Sequence, residues 1–288
     1  MLPFGLTPQT DSDKENQPPR ASVVVVSHNR AERLRRCLES LEKSEGRETI
    51  QVIVVDNGSR DGAARLDADF PKAQFIRLPK NFGLTKAMNL GWRAADSPYV
   101  FFLHDDSAVQ PDTVLRLAGA LDAHPEAAAV CPLLVDAEGR PAPQFGNFPP
   151  DGEYRPADDA TGDAPVEVEF PRGAALMIRV FVIKAVRQID EHYGQFGADA
   201  DLAMQIRRAS KMILLLPAVQ VRHRGSIGYS AAQRADFLLS RAVFLGKYSG
   251  LGAGIRARLS AIAGPLFSFR FGELKYTLAG QKIDGTQL

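Results

Sequence analysis

Tyr99-Val100-Phe101-Phe102-Leu103-His104-Asp105-Asp106-Ser107 is the stretch from which the rest of the chain is read. Five apolar residues without polar alternation fit a strand buried on both faces, as in parallel sheets. The run ends in an imidazole and two carboxylates, at the strand end where open α/β sheets bind ligands. Successive side chains point to opposite faces, so at most one of the two aspartates shares a face with His104. Hard oxygen ligands suit Mg²⁺ or Mn²⁺, and these ions in turn hold phosphate oxygens. A metal-diphosphate site is one reading. A polar loop in which one Asp caps the helix following Pro111 is the other.

Upstream, Ser22-Val23-Val24-Val25-Val26-Ser27 has the composition of a buried strand, and His28-Asn29-Arg30 turns the chain. Residues Arg30 to Lys43 place Leu34, Leu38 and Leu41 on one helical face. Ile50 to Val55 forms a second strand, running into Asp56-Asn57-Gly58-Ser59-Arg60-Asp61-Gly62. A short helix and a third strand, Gln74 to Leu78, complete a βαβαβ unit whose right-handed crossovers gather the strand ends on one edge. That edge carries Ser27, Asn29, Asp56, Asn57 and Ser59. Neither the Gly-x-Gly-x-x-Gly of a dinucleotide fold nor a Gly-x-x-x-x-Gly-Lys-Ser/Thr phosphate loop is present. Asp56 could accept from a pyrimidine N–H or a ribose hydroxyl, and Asp-Asn-Gly-Ser is equally good turn chemistry. Next, Gly83 to Ala94 reads as a helix whose N-terminus suits an anion, with Asn89 inside it at a modest cost in propensity.

Four motifs now stand in order: Ser27-His28-Asn29-Arg30, Asp56 to Gly62, Asn81-Phe82-Gly83 with Ala87-x-Asn89-x-Gly91, and Leu103 to Asp106. Together they resemble the family 2 glycosyltransferases, inverting enzymes of the GT-A fold, and most closely the rhamnosyltransferase-like branch. The resemblance spans about Ala21 to Tyr248. It implies an α/β protein with a Rossmann-like nucleotide-binding mixed sheet flanked by helices. It implies that Ser27, Asn29, Arg30, Asp56, Asn57 and Ser59 contact the nucleotide, with Asp56 reading the base. Asn81, Gly83 and Asn89 fall on the nucleotide-sugar loop and helix, and Asp105 lies near the ribose. Asp106 matches the last Asp of the metal motif, whose first position, usually Asp or Asn, is His104 here. Imidazole favours softer ions, so this departure leans toward Mn²⁺ over Mg²⁺, or toward metal contact through Asp106 alone.

In the second half, Pro111 to Ala123 reads as a helix and Ala127 to Leu134 as a strand. Pro141 to Pro165 reads as a surface loop over the acceptor side. Arg172-Gly173-Ala174 resembles the family's strand beside the donor sugar, where a glycine lets a ligand approach the backbone. Ile189 to Leu202 resembles the family's aromatic-rich loop, which ends in a Glu-Asp pair opening a helix. Its Asp maps onto Asp199 as catalytic base, with Asp201 toward the acceptor. As first-turn carboxylates both would also be favoured by the helix dipole. Ala198 replaces the usual Glu, which removes a like charge and predicts a lowered Asp199 pKa. Gln205 stands where many relatives have Arg. Met212 to Leu216 and Val219 to Val221 read as two short strands leading into Arg222-His223-Arg224, whose His resembles the family's third metal contact.

Between Arg241 and Lys282 there are seven Lys or Arg and one Asp or Glu, mixed with Leu, Phe and Ile. Such a tail suits an anionic membrane surface; helices packed on the catalytic domain or forming a homodimer account for it equally. Residues 1–20 read as a disordered tail, 21–235 as the GT-A domain (nucleotide half 21–110, acceptor half 111–235) and 236–288 as a helical extension.

A net charge of +1 argues against nucleic acid as a partner. Two cysteines without metal spacing, and no signal-peptide pattern, suggest a cytoplasmic protein, peripheral to the inner face of the membrane if the basic tail binds there. The expected activity is metal-dependent, inverting transfer from a nucleotide-diphosphate sugar to a glycan or lipid-linked hydroxyl in cell-surface polysaccharide or glycolipid assembly. The rival activities are a sugar nucleotidyltransferase and a non-catalytic glycan- or nucleotide-sugar-binding module.

Overall fold

The β-branched run of the first strand and the apolar runs of its neighbours pair in parallel. β1 (Ala21–Ser27) lies between β2 (Ile50–Asp56) and β4 (Tyr99–His104), and β3 (Ala73–Arg77) pairs outside β2. The structure, a computed structural model, describes residues 18–150, 153–157, 162–224 and 229–280. The disordered tail expected at the N-terminus falls mostly on residues 1–17, outside the described part.

The second half of the sheet is mixed. β5 (Ser107–Val109), β6 (Ala127–Val135), β7 (Val166–Val168), β8 (Ala175–Arg179) and β9 (Met212–His223) extend it to nine strands among the described residues, ordered β3-β2-β1-β4-β8-β6-β9-β5 with β7 also on β9. The mixed α/β sheet expected from the motifs is therefore present. Met212 to His223 is one strand rather than two, and it crosses Pro217-Ala218 by shifting register against β6 between Pro132 and Leu133. A β-irregularity of this kind keeps a strand continuous where a proline cannot donate.

Alternation sorts the core into two layers. Val23, Val25, Phe101 and Leu103 pack with α1 (Ala31–Glu42) and, after α2 (Leu84–Arg93), with α3 (Thr113–Ala123). On α1 the buried residues Leu34, Cys37, Leu38 and Leu41 recur at helical spacing, and each buried leucine contributes roughly 1.5–3 kcal/mol. On the other face, Val24, Val55 and Phe102 pack with α2, α4 (Val180–Ala185) and α5 (Ala198–Arg208). Gly91 lets α2 settle onto β1, because a Cβ there would lie 2.4 Å from Cγ1 of Val24.

Three further helices follow: α6 (Ala231–Tyr248), α7 (Leu251–Phe267) and α8 (Phe271–Ala279). The boundary expected at residue 235 falls inside α6, so the C-terminal helices are continuous with the catalytic region. No described helix is long and apolar enough to cross a membrane. Cys37 and Cys131 are free and buried.

Candidate active site

Parallel pairing puts Ser27 opposite Asp56 and His104 opposite Val26, so three strand ends open on one edge. A cavity of about 300 Å³ occupies that edge. Of the residues expected there, Ser27, Asn29, Arg30, Asn57, Asn81, His104, Asp105, Asp106, Arg172, Gly173, Asp199 and His223 all line it. One hollow thus joins Ser27, Asn57 and Asn81 to Asp199, far downstream in the chain.

The loops after β1 and β2 brace each other. Ser59 Oγ accepts from the Asn29 N–H at 2.9 Å, and Asn29 Oδ1 accepts from the Arg60 N–H at 2.8 Å. Asn29 sits at φ 52°, a left-handed conformation that asparagine tolerates better than most residues. Asp56 is buried and closes its own turn by accepting from the Ser59 N–H at 3.0 Å. Asn57 Nδ2 donates to Asn81 Oδ1 at 2.9 Å, and its own Oδ1 accepts from the Phe82 N–H at 2.9 Å. Gly58 is required here, since it has φ +78° and a Cβ would meet the Lys80 carbonyl carbon at 2.4 Å. Asp56, Ser59, Gly83 and Ala174 thus build the loops around the cavity without lining it.

At the end of β4 the three ionisable groups divide. Asp105 turns to Ser27, whose hydroxyl donates to it at 2.7 Å, and Arg30 stands 3.6 Å away. Burial pushes the Asp105 carboxyl up, against the opposing effects of Arg30 and Ser27. His104 and Asp106 share the other side with His223, which the pairing of β5 with β9 brings opposite Ser107. One ligand atom from each of the three lies within 4.8 Å of the others. Burial, then the neighbouring His223, lowers the His104 pKa to about 3, so its imidazole is neutral. Burial alone would raise Asp106, but the His223 imidazole and Arg30 outweigh it and hold the carboxyl below its usual range.

His223 Nε2 is 3.3 Å from Asp106 Oδ1, yet that buried oxygen has no hydrogen-bond partner among the described residues. A buried carboxylate oxygen without a partner costs about 1–3 kcal/mol or more unless something else coordinates it. A neutral imidazole, an ionised carboxylate and a second imidazole are a donor set suited to Mn²⁺ and less to Mg²⁺. The residues present fit a divalent cation.

Asp199 reaches the cavity from the first turn of α5. The loop before it is held at three points. Asp236 accepts from the N–H groups of Gln195 at 2.9 Å and Phe196 at 3.1 Å, Ser240 donates to the Phe196 carbonyl at 2.9 Å, and Gly197 turns the chain at φ +89°. The Asp199 carboxylate accepts from Tyr154 Oη at 3.0 Å, the Gly173 N–H at 3.2 Å and the Ala200 N–H at 2.9 Å. His104 donates its N–H to the Ala174 carbonyl at 2.9 Å, which sets the Arg172-Gly173 segment beside the end of β4. Burial raises the Asp199 pKa more than these donors and Arg172 lower it. The lowered pKa expected from Ala198 is therefore corrected, because desolvation outweighs the missing like charge.

Two expected ligand contacts are structural instead. Asn89 is fully buried and spends all of its amide: Nδ2 donates to the Ile189 carbonyl and Glu191, and Oδ1 accepts from the Ile189 N–H and Trp92 Nε1. It clamps the loop that carries Asp199 and has no group left for a nucleotide. Asp201 is 1% exposed and faces away from the cavity, toward Tyr193, Tyr248, Gln205 and Lys247 at 2.7–3.2 Å. Gln205, a departure from the family pattern, is one of its partners.

The sequence reading missed His28, Arg33, Tyr154, Gln195 and Gln233, which also line the cavity. Arg33 was legible as one helical turn beyond Arg30 and lies 3.8 Å from Asp106. Tyr154 lies in a loop without periodicity and left no signal. Part of the anticipated 141–165 loop (151–152 and 158–161) and residues 225–228 after His223 lie outside the described residues.

Residues 22–173 match the family profile described as Glycosyl transferase family 2, more than half of the chain. The chain belongs to that family. An N-acetylglucosaminyl-diphospho-decaprenol L-rhamnosyltransferase of Mycobacterium tuberculosis is 26% identical over 230 residues, covering 70% of this chain and 75% of the relative. An N-acetylglucosaminyltransferase of Mesorhizobium japonicum is 32% identical over 124 residues, 41% of this chain and 29% of that protein. In fold, the chain is similar to a mannosyltransferase of Pyrobaculum calidifontis solved with GDP-Man and Mn²⁺: TM-score 0.61, 18% identity, covering 97% of this chain and 77% of that one. The fold is thus that of GT-A glycosyltransferases.

Proposed function

We propose that this family 2 glycosyltransferase moves a sugar from a nucleoside-diphosphate donor to a hydroxyl of a glycan or lipid-linked acceptor, inverting the anomeric centre. The observation that carries this is the convergence on one cavity of Ser27, Asn57 and Asn81 with the His104-Asp106-His223 cluster and the half-buried Asp199. Similarity to an L-rhamnosyltransferase that acts on a diphospho-decaprenol acceptor supports a deoxyhexose donor and a lipid-linked acceptor.

The acceptor hydroxyl gives its proton to Asp199 as its oxygen attacks the anomeric carbon. The bond from that carbon to the diphosphate oxygen breaks, and the electron pair leaves with the nucleoside diphosphate. Burial makes Asp199 a stronger base than an exposed aspartate, while the Gly173 and Ala200 N–H groups hold its orientation. Arg30 and Arg33, on one face of the first helical turn, supply positive charge beside the leaving group. Asn57 and Asn81 shape the nucleotide loop, with Asp56 fixing its turn. His104, Asp106 and His223 would hold Mn²⁺ or Mg²⁺; when bound, the ion neutralises charge on the diphosphate.

Incubation with a panel of nucleoside-diphosphate sugars tests this reading by nucleoside diphosphate release. Release with at least one donor, lost in Asp106→Ala, is expected. Diphosphate release from a sugar 1-phosphate and a nucleoside triphosphate would instead show a nucleotidyltransferase.

A further inference from the structure

Ten large hydrophobic side chains are exposed among the described residues, and eight of them lie between Leu251 and Leu278. On α7, Leu251, Ile255, Leu259 and Leu266 fall at i, i+4, i+8 and i+15, within an arc of about 80° at 100° per residue. The turn into α8 adds Phe267, Phe269 and Phe271, the first two 80% and 78% exposed.

The face of α7 toward α6 is made of small residues. Gly254 approaches Gly246 so closely that a Cβ on it would lie 2.7 Å from the Gly246 Cα, and Ala261 is buried nearby in sequence. A helix on a water-facing surface buries its leucines and exposes its small and polar residues. Here the order is inverted, with small residues at the helix contact and large aliphatics outward, as where lipid replaces water. α7 carries Arg256 and Arg258 and is too short and polar to span, which leaves a position along the interface.

Charge selects the occupant. Between residues 249 and 280 the cations are Arg256, Arg258, Arg270 and Lys275, and the single acid, Glu273, is 1% exposed and paired with Arg234 and Arg270. The face therefore presents apolar side chains and exposed positive charge with no exposed acid of its own. A second copy of the same face would set cation against cation, whereas an anionic headgroup layer complements it.

We propose that α7, the Phe267–Phe271 turn and α8 dock the protein on an anionic lipid bilayer, with the three phenylalanines inserted and Arg256 and Lys275 at the headgroups. This docking does not rest on the assignment of the cavity. Because α7 and α8 pack on α6, whose Gln233 lines the cavity, the bilayer would lie on the side of the protein next to the site.

Sedimentation of the full chain with phosphatidylcholine vesicles, with and without phosphatidylglycerol, tests the proposal without any sugar transfer. Binding to the anionic vesicles, at least tenfold weaker on phosphatidylcholine alone and weakened by salt, is expected. The triple variant Phe267→Ser/Phe269→Ser/Phe271→Ser and, separately, Arg256→Glu/Lys275→Glu should each lose at least tenfold. Both should keep the wild-type thermal shift with nucleoside diphosphates; if the triple variant does not, the charge variant decides. Absence of binding to anionic vesicles, equal binding to neutral ones, or charge reversal without effect would overturn the proposal. A concentration-dependent dimer abolished by the same variants, in a protein that ignores vesicles, would assign the face to a second copy instead.

Discussion

Tyr154 donates its phenolic proton to Oδ2 of Asp199 at 3.0 Å, from a loop 45 residues upstream. That places a hydroxyl donor against the carboxylate proposed to accept the proton of an acceptor hydroxyl. Arg172 lies over the Tyr154 ring at 5.2 Å, so the phenol, the cation and the base form one unit.

The hydrogen bond favours the charged carboxylate, so its loss should raise the Asp199 pKa further. In Tyr154→Phe the acid limb of the pH–rate profile moves to higher pH, by about 0.7 unit for a bond worth roughly 1 kcal/mol. An unchanged acid limb would show that Tyr154 does not act on the base.

In the native protein, activity should fall as pH drops and Asp199 takes up a proton. Because burial raises this pKa, the fall begins above the range of an exposed aspartate, about 3.9. Folding stability carries the same sign. A carboxyl with a raised folded pKa leaves stability intact below its unfolded pKa and removes it as pH rises through the folded one. Asp199→Asn should therefore melt higher than the native protein at neutral pH, with the difference closing toward acid. Melting curves across pH check this directly.

The unpartnered Asp106 Oδ1 and the neutral His104 predict that Mn²⁺ binds the protein itself. Added Mn²⁺ should raise the melting temperature by mass action and restore activity after chelation. Asp106→Ala and His223→Ala should show neither effect. Chelator-insensitive transfer would show that no cation takes part in the reaction.

Asn89 should behave as a structural residue. Asn89→Ala leaves the buried Ile189 backbone and Trp92 Nε1 without partners, a loss of about 2–4 kcal/mol of stability. Nucleoside diphosphate affinity in the folded variant should stay near the native value. A selective loss of affinity at unchanged stability would return Asn89 to the nucleotide site.

The parallel half of the sheet was legible because its strands are unbroken apolar runs that end in turn residues. At His104-Asp105-Asp106, alternation separates the two aspartates and the family resemblance puts Asp106 at the metal, while the bond of Asp105 to Ser27 and the approach of His223 to Asp106 come from other strands and are visible only in the structure. In sequence β9 reads as two strands because Pro217 interrupts its pattern, while the register shift that absorbs it depends on β6. A polar residue inside a helix announces a buried partner, but not whether that partner is a ligand or the chain itself; for Asn89 the structure shows partners in the chain itself. The pKa of Asp199 depends on burial by segments distant in sequence, which local composition does not report.

In the proposed reaction Asp199 accepts the acceptor's proton. The most direct test of this is turnover by Asp199→Asn set beside that variant's affinity for nucleoside diphosphate. A loss of about 10²–10⁴-fold in transfer is expected, with nucleotide binding intact. Turnover at the native rate would contradict it.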